Sequence, residues 1–579
     1  MRRRDTGSRG RGIKVLALLM GLALIAAACG SDDDDDGGGA AVDEPTETTV
    51  EGEAGGDIVF AVEQEPTGLN WLEANDNAAW TAYIMQLVWA MPIFYEPDGT
   101  AGINEDFVDI ELTGEDPQVV TYTMNPDAVW SDGTAITVDD WVYTWESQNC
   151  TQTTGTDPET GEPLYAYNAA SCFGYEDIES IEEGDSSSEI VVSYSSPYAD
   201  WISLFQPLFP AHKFLEAGNG DPVAGFNTGF KVETIADNLD LVVSGGPYIV
   251  TEYSPGEQMI LERNEQWWGE PPLADRIILP FITDAAQQPS AMANGEIDVM
   301  FPQAQIDLVD QTAAIAGVES VVGFGTFWEH VDMNVENVHL GKLEVRQAIA
   351  KALDRDDIVE RLPAQFDDSA EVLNNRIFFP ADERYEANGA DEYGEQDLEA
   401  ARALLEGAGY VDDGGTYTHP TDGPLNLRIT WRDPNPRREQ TAQLVQSQLV
   451  EAGIGIDLAP QPDFLWLDSG NFDLGLFGWT GGKVPSSNDS IYRSDGGQNH
   501  AGLAIPEVDA LFDEANIELD EETRSGLMNE IDVLLWEQLP TIPLFQVPEF
   551  LANVDTISNV VYNGYEGPAW NTFAWAVAN

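Results

Sequence analysis

The hydrophobic pattern of this chain changes character about halfway along its length. Up to residue 284, short apolar or alternating runs dominate, and these are typical of β-strands. The strands predicted there cover residues 57–62, 119–124, 190–194, 248–252, 258–263 and 277–282. Apolar residues at helical spacing predict one helix in this part, over residues 138–145. The glycine and proline at 255–256 predict a turn that pairs the fourth strand with the fifth.

Beyond residue 284, longer helical patterns alternate with strands. Predicted helices cover residues 343–352, 397–408, 437–452, 505–517 and 522–537. Predicted strands cover residues 330–335, 425–431, 454–458, 472–479 and 540–547. Gly409 and Gly453 stand where two of these helices should end. Such alternation predicts an α/β fold whose sheets are covered by helices on both faces. No repeat of fixed period is present in the sequence.

Length and charge narrow the class of protein. At 579 residues the chain is too long for one compact core, so two or three structural units are expected. The formal net charge of −78 repels nucleic acids and anionic headgroups, which excludes nucleic-acid binding. Because the acidic residues are spread along the chain, they indicate a solvated surface. A saline habitat, where salt screens the repulsion, is one hypothesis for this composition.

The first residues have the layout of an export signal. Basic residues within 2–14 precede an apolar stretch at 13–28, which ends in three alanines, and Cys29 follows. A cysteine at this point resembles the lipobox of bacterial lipoproteins. The resemblance implies a leader over 1–28, lipid on Cys29, a disordered acidic tether over 29–56, and an extracytoplasmic location. A plain signal peptide with a chance cysteine is the alternative. No other stretch is apolar for the 18 or so residues that a membrane span needs.

Two further cysteines, Cys150 and Cys172, remain in what would be an oxidising compartment. We expect a disulfide that closes the Gly- and Thr-rich segment between them and stabilises the fold by roughly 3 kcal/mol. Two buried free thiols are the alternative.

Motifs of catalysis are missing from the sequence. It contains neither a G-x-S-x-G elbow nor a P-loop, and its 5 histidines show no metal-ligand spacing. We therefore expect no enzymatic activity, no cofactor and no metal site. The 16 tryptophans indicate either a site for a sizeable ligand or packing between structural units.

Five sequence blocks, taken in order, carry a resemblance to a known family. They are T-Y-T-M-N-P-D-A-V-W-S-D-G at the start of 121–145, G-G-P-Y-I-V at 245–250 with E-R-N-E-Q-W-W-G at 262–269, G-E-I-D-V at 295–299, V-R-Q-A-I-A-K-A-L-D-R at 345–355, and L-P-T-I-P-L-F at 539–545. From residue 57 to the end, the chain resembles the family 5 extracellular solute-binding proteins, the oligopeptide- and dipeptide-binding group of ABC importers.

The resemblance implies an α/β, two-lobed, periplasmic-binding-protein-like fold of type II. Lobe I would span 57–283 and 540–579, with an extra subdomain at about 85–205, and lobe II would span 284–539. The ligand would lie in the cleft between the lobes and be enclosed by hinge closure.

The resemblance also suggests site residues. In peptide binders a strand ending in a Gly-Trp pair presents its backbone to the ligand, and here that pair is Gly478-Trp479, followed by Thr480. Peptide binders typically carry an aspartate shortly afterwards for the ligand's amino terminus, whereas this chain has no acid until Asp489. This departure puts a free peptide amino group in doubt. Further cleft candidates by position are Glu65, Trp328, Asn499, Phe545 and Gln546, for each of which packing or loop hydrogen bonding is the alternative role.

Together these features predict a monomeric, lipid-anchored receptor that captures a small solute and delivers it to ABC permease subunits. By resemblance, the default solute is an oligopeptide. An oligosaccharide or glycolipid in the same cleft, or a regulatory lipoprotein of the envelope that transports nothing, are the alternatives.

Overall fold

The computed structural model describes residues 54–156 and 163–578. The predicted leader, Cys29 and the tether up to residue 53 lie outside the described residues. The described chain is paired from its start, because the Gly55 N–H donates to the Leu273 carbonyl at 2.8 Å.

Short strands outnumber helices along the chain. The strands are β1 Asp57–Ala61, β2 Ile93–Tyr95, β3 Ala101–Ile103, β4 Val108–Glu115, β5 Gln118–Met124, β6 Thr153–Thr156, β7 Pro163–Tyr165, β8 Ile178–Glu183, β9 Glu189–Tyr194, β10 Tyr248–Ser254, β11 Gln258–Arg263, β12 Arg276–Pro280, β13 Val299–Met300, β14 Val318–Met333, β15 Val411–Asp412, β16 Tyr417–His419, β17 Gly423–Pro424, β18 Asn426–Thr430, β19 Gly455–Leu458, β20 Leu474–Thr480, β21 Thr541–Val554, β22 Ile557–Ser558 and β23 Ala576–Val577.

The longest helices fall in the second half of the chain. The helices are α1 Ala79–Met85, α2 Val138–Gln148, α3 Ala211–Ala217, α4 Pro222–Thr228, α5 Val232–Ile235, α6 Gln288–Ala293, α7 Ile306–Ala313, α8 Leu343–Ala352, α9 Arg355–Arg361, α10 Ala390–Tyr393, α11 Leu398–Gly407, α12 Pro436–Glu451, α13 Leu465–Asp468, α14 Asp489–Tyr492, α15 Pro506–Ala515 and α16 Glu521–Gln538.

Ten strands form one mixed sheet in the order β10-β11-β12-β1-β13-β21-β14-β20-β18-β19. β1 is parallel to β12 and β13 at one end, and β18 is parallel to β19 and β20 at the other. Helical segments lie between most of these parallel strands along the chain, as parallel connections require. The fold is therefore of the α/β class, as the sequence predicts.

Two long antiparallel strands, β14 and β21, join the two ends of the sheet. Residues 318–324 of β14 pair with 548–554 of β21, and 328–332 pair with 541–546. The register shifts between Phe324 and Trp328, so each strand is irregular at the same level. We call residues 325–327 and 546–548 the crossing segments.

Each end of the sheet has its own hydrophobic core. The β1 core contains Ile58, Trp89, Tyr248 and Ile277, with a smaller cluster of Ala61, Met292 and Phe550 on β1's other side. The β18 core is built from a separate set of residues, including Val331, Ile349, Leu427, Val445 and Leu476. We refer to the part around the β1 core, together with the segment 85–205, as the β1 side, and to the part around the β18 core, together with residues 336–538, as the β18 side. The predicted lobe limits at 283 and 539 stay predictions.

A four-stranded sheet in the order β4-β5-β9-β8 lies within the segment 85–205. Helix α2 packs close to β8, and Tyr122, Trp141 and Phe205 form part of the local cluster. At the N-terminus of α2 the Thr137 N–H donates to the Asp140 carboxylate at 2.9 Å, which closes a capping box. Cys150 and Cys172 form the predicted disulfide, with their Cα atoms 5.7 Å apart.

The two joining strands are where the sequence-based boundaries are wrong. The strand predicted from residue 330 begins at Val318, and the strand predicted to end at 547 continues to Val554. The physical reason is that residues 319–321 of β14 are exposed and lack an amphipathic alternation. Their strand conformation depends on pairing with β21, more than 200 residues away.

Candidate functional site

The candidate site lies where β20 ends and the chain turns towards the β1 side. In α/β sheets, ligands bind outside the carboxyl ends of the strands. The chain leaves β20 at Thr480 and reaches Val484, which packs against the cluster of the β4-β5-β9-β8 subdomain. The carboxyl end of β20, on the β18 side, therefore faces the β1 side.

A cavity of about 720 Å³ opens at this place. The β1 side contributes Tyr95, Gly99–Ala101 and Ala199–Ile202. The β18 side contributes Glu383, Arg384, Glu386, Lys483–Pro485 and seven residues between Leu519 and Asn529. A volume of this size is within the usual range for small-ligand pockets, about 300–1,000 Å³. Both sides of the molecule are therefore needed to form the cavity.

Every basic side chain that lines the cavity is already paired. Lys483 lies 2.7 Å from the carboxylate of Glu566, Arg524 lies 2.5 Å from Asp200, and Arg384 lies 2.7 Å from Glu521. In contrast, Glu383, Glu386 and Glu522 are exposed acids that make no side-chain hydrogen bond or ion pair with the described residues. The free charge of the lining is therefore negative.

One lining hydroxyl is buried without a partner. The Tyr95 Oη atom makes no hydrogen bond with any residue that the structure describes. Burial, reinforced by the carboxylates of Asp200 and Glu566, raises the pKa of Tyr95 well above its ordinary value, so the hydroxyl stays neutral. It therefore retains an unused hydrogen-bond donor and acceptor at the cavity wall.

Four polar contacts connect the two sides around the cavity. Asp200 accepts a hydrogen bond from the Ser486 N–H at 3.1 Å and pairs with Arg524. The Ala199 N–H donates to the Asn516 carbonyl at 2.8 Å, and Lys483 pairs with Glu566. The side chains of Asp200, Arg524 and Glu566 are each only 4% exposed. We call these four contacts the cleft contacts.

The structure brings the predicted Gly478, Trp479 and Thr480 to the end of β20. Trp479 lies opposite Trp328 of β14, and Thr480 is exposed opposite Phe327. A Cβ atom at Gly478 would lie 2.8 Å from the Trp328 carbonyl and from the Phe327 ring, which accounts for the glycine. The β18 pairing of β20 ends at Gly475, so along residues 476–480 its second edge has no strand partner among the described residues.

The Trp479 ring lies nearly parallel to two histidine rings. His330 and His500 stack on it with centroids 5.9 and 5.8 Å away and interplanar angles of 10° and 9°. The buried Nε1–H of Trp479 has no hydrogen-bond partner within the described part of the chain. The ring is therefore fixed in orientation and retains one unused donor.

Two other predicted contacts are buried in packing. Trp328 and Phe545 are each 1% exposed, and they contact Leu373 and the β18 core respectively. Their assignment as ligand contacts stays a prediction.

Three more candidates form hydrogen bonds that stabilise turns, loops or crossing segments of the protein itself. Glu65 accepts from the Tyr253 hydroxyl at 2.7 Å and from the Gly256 N–H at 2.9 Å, which anchors the β10–β11 turn. The Asn499 amide donates to the carbonyls of Arg493 and Leu503 within its own loop. The Gln546 amide donates to the Gly325 carbonyl at 2.7 Å, between the crossing segments. Their role towards a ligand stays a prediction.

Sequence reasoning missed Lys483, Glu566 and Asp200. Lys483 drew attention only as an incomplete P-loop, and the acids were two among 103. Their sequence neighbours contain no signal, because Lys483 and Glu566 are 83 residues apart and meet only in the folded molecule.

The described residues contain no cluster of three or more His, Cys, Asp or Glu side chains suited to a metal ion. Within the same part of the chain, no helix combines the length and apolar character needed to cross a membrane.

Two helix-covered sheet regions, joined by two crossing strands around a cavity, define the two-lobed class of solute-binding proteins. A periplasmic EDTA-binding protein, EppA, has this fold with a TM-score of 0.83 and 29% identity, over 93% of this chain and 100% of that one. The nonapeptide complex of AppA from Bacillus subtilis, at 19% identity and a TM-score of 0.69, shares the fold over 91% of this chain and 100% of that one.

Sequence comparison then gives the family. The profile of the bacterial extracellular solute-binding proteins, family 5 (middle region), matches residues 111–501. The oligopeptide-binding protein OppA of Mycobacterium tuberculosis is 30% identical over 515 residues, which is 87% of this chain and 82% of OppA. An uncharacterized lipoprotein of the same species is 25% identical over 84% of this chain and 86% of its own length. The chain belongs to the family 5 solute-binding proteins of ABC importers, which bind and do not transform their solutes.

Proposed function

We propose that this protein is a lipid-anchored receptor that captures an oligopeptide-like solute in the 720 Å³ cavity and delivers it to ABC permease subunits. The observation that carries the proposal is the lining of this cavity, which comes from both sides of the molecule. A solute bound there contacts both sides at once and therefore favours their closed arrangement over an open one.

The proposed hinge consists of the crossing segments. The cores on either side share no residue, and within the described part of the chain β14 and β21 are the strands that run from one side into the other. Residues 285–308 pack with Ala61 of β1 and so belong to the β1 side. The chain therefore crosses to the β18 side near residues 325–327 and returns to the β1 side near residues 546–548. Rotation about these two short segments would open the cavity without disturbing either core.

A peptide suits the β20 end better than an anionic chelate does. The unpaired edge at residues 476–480 matches the way an extended peptide adds to a sheet, through main-chain hydrogen bonds. The name of OppA points to the same solute class, whereas EppA is named for binding EDTA. Because the lining cations are all paired and three acids are free, the cavity opposes a multiply negative chelate.

The solute class can be tested on full-length protein in detergent. Mass spectrometry of co-purified ligands and a thermal-shift screen should detect peptides, with stabilisation by peptide mixtures and none by nickel–EDTA. Stabilisation by an oligosaccharide or by nickel–EDTA, with no response to any peptide, would overturn the peptide assignment. Failure of every solute class to stabilise the protein would instead favour a regulatory lipoprotein of the envelope.

The proposed anchor is tested separately. We expect Cys29→Ser to abolish labelling by a fatty-acid analogue and to release the protein from the membrane fraction, because the thioether to lipid cannot form. Ser31→Ala, two residues away, is the matched control and should stay in the membrane fraction. Membrane retention of the Cys29→Ser variant at the control level would refute the anchor.

A further inference from the structure

Glu549 is a carboxylate of β21 placed one residue beyond the crossing segments. Its Oε2 atom accepts a hydrogen bond from the Tyr562 hydroxyl at 2.7 Å. Its other oxygen, Oε1, makes no hydrogen bond with any described residue, and the residue is neither fully buried nor fully exposed. One face of the carboxylate is therefore satisfied and the other is free.

Several other buried carboxylates among the described residues are paired with cations. Glu73 is held by Lys231, Glu329 by Arg438, and Asp532 by Arg376, at distances of 2.7–2.9 Å. Asp140 lacks a basic partner, but its two oxygens accept the N–H groups of Thr137 and Ala211. Glu549 has neither a basic residue nor a backbone donor among the residues that the structure describes, so its negative charge is left uncompensated.

Glycines bring the main chain close around this carboxylate. A Cβ atom at Gly325 would lie 2.9 Å from Glu549 Oε2, and one at Gly323 would lie 2.2 Å from the Tyr562 ring. At Gly564 a Cβ would lie 2.6 Å from the Cα of Gly325. The Glu549–Tyr562 pair is therefore held by backbone that cannot accept larger residues, which fixes its orientation.

The turn at residues 564–566 connects Glu549 to the candidate cavity. Gly564 of this turn packs against Gly325, beside Glu549, and Glu566 of the same turn is the partner of Lys483 at the cavity. Next to the turn, a Cβ atom at Gly567 would lie 2.1 Å from the Tyr83 ring. Tyr83 also contacts Phe301 edge-on, with centroids 6.1 Å apart. A carboxylate with one free oxygen suits an ammonium or guanidinium group, which forms charge-assisted hydrogen bonds with it.

We propose that Glu549 receives a cationic nitrogen group of the solute, an ammonium or a guanidinium, and so sets the charge specificity of the cleft. The inference rests on the proposed function, namely that this cleft binds a solute. It also supplies what the β20 loop lacks, because the aspartate expected shortly after Trp479 is replaced here by glycines.

The same geometry gives the binding a direction in pH. Tyr562 and Tyr83 are the titratable groups that face Glu549, and burial raises the pKa of both, so each stays neutral. The neighbouring residues of β14 are Gly323 and Gly325, which carry no charge. Burial raises the pKa of Glu549 to about 7. A cation binds only the ionised form, so the affinity for a cationic solute should rise between pH 6 and pH 8.

The test uses matched probes and calorimetry on the full-length protein at pH 7.5. The peptide arm compares trialanine with N-acetyl-trialanine, and the second arm compares spermidine with 1,8-octanediol, a neutral chain of similar length. In at least one arm we expect the cationic probe to bind the wild-type protein at least 10-fold more tightly than its neutral counterpart. Glu549→Gln should reduce that preference to within about 2-fold and flatten its pH dependence. The amide oxygen can still accept from Tyr562, which favours a folded variant.

Two further variants make the result specific. Glu549→Asp keeps the charge and should retain part of the preference, and Glu319→Gln, an exposed acid on β14, should leave it unchanged. Spermidine binding that depends on Glu549, without any peptide binding, supports this inference while removing the peptide proposal. Equal binding of cationic and neutral probes, an unchanged preference in Glu549→Gln, or no binding of either cationic probe overturns the inference.

Discussion

Two buried ion pairs of this protein have similar chemistry and different settings. Arg376 and Asp532 are 2.9 Å apart inside the β18 side, and both side chains are 0% exposed. Asp200 and Arg524 are 2.5 Å apart and each 4% exposed, but one belongs to the β1 side and the other to the β18 side. The first pair lies within one packed unit, while the second spans the cleft.

This difference separates stability from closure. The Arg376 guanidinium also donates to the Thr541 carbonyl at 2.7 Å and lies 4.2 Å from the centroid of the Trp536 ring, so the first pair persists as long as the unit is folded. The Asp200 pair breaks whenever the two sides separate, and water then solvates both charges. The Arg376–Asp532 pair should therefore affect the unfolding equilibrium, and the Asp200–Arg524 pair the equilibrium between open and closed forms.

The largest effect is expected for Arg376→Met. The substitution leaves the Asp532 carboxylate buried without a cation, and we expect the free energy of unfolding to fall by about 3–5 kcal/mol. Urea denaturation, monitored by tryptophan fluorescence, measures the loss both with and without solute. Arg361→Met, which removes an exposed arginine paired with Asp357, is the control and should change stability by less than about 0.5 kcal/mol. A similar small change in both variants would contradict the role of the buried pair.

Asp200→Asn should act on closure. The substitution removes the charge that Arg524 faces and weakens the acceptor for the Ser486 N–H, so the closed form loses about 2 kcal/mol and solute affinity falls roughly 30-fold. Calorimetry measures the affinity, and small-angle scattering of the unliganded protein measures the open fraction. Asp240→Asn, on the exposed surface, is the control. If Asp200→Asn lowered the free energy of unfolding and left the solute affinity unchanged, the Asp200–Arg524 pair would contribute to stability, as the Arg376–Asp532 pair does, and not to closure.

Trp479→Ala removes a ring at the end of β20 itself. Because the ring is held in one orientation by His330 and His500, we expect solute binding to weaken by about 1–2 kcal/mol. Trp267→Ala, at a half-exposed tryptophan on the β1 side, serves as the control in the same titration. An affinity equal to that of the wild-type protein would remove Trp479 from the site.

The smallest effect is expected for Lys483→Met. The lysine side chain is 36% exposed, and Glu566 keeps the donors Tyr95 N–H and Gln206 Nε2–H at 2.8 and 2.9 Å. Solute binding should therefore weaken by about 1 kcal/mol or less. The useful readout is the salt dependence of solute binding, which should be shallower in the variant than in the wild-type protein. A loss of solute affinity as large as that of Asp200→Asn would mean that the greater exposure of Lys483 does not make its pair with Glu566 weaker than the pair of Asp200 with Arg524.

Local sequence signals were enough for much of the fold. The β10–β11 hairpin follows from the turn at Gly256, which adopts φ +75°, and α12 ends before Gly453, which adopts φ +88°. Elements that depend on distant partners were not accessible in this way. The two-residue strand β13 and the first part of β14 exist because β21 pairs with both of them.

The candidate site also contains some residues that the sequence predicts and others that only the folded structure reveals. Gly478, Trp479 and Thr480 were identified because a family resemblance marks the end of that strand, and their role towards a ligand stays a prediction. Glu549 and the cleft contacts were missed, because their significance lies in which charges lack or gain partners after folding. In a chain with 103 acidic residues, only tertiary structure distinguishes an uncompensated carboxylate from a solvated one.

The position of β21 in the large sheet also constrains when the molecule can fold during synthesis. This strand is the last of the large sheet in chain order, yet it lies between β13 and β14 in the middle of the sheet. Until residue 554 has been synthesised, the sheet lacks a central strand, and the β1 core lacks Trp575 for longer still. The earlier elements therefore cannot complete the sheet by themselves, which suits a polypeptide that the proposed leader would direct through a translocation channel in unfolded form.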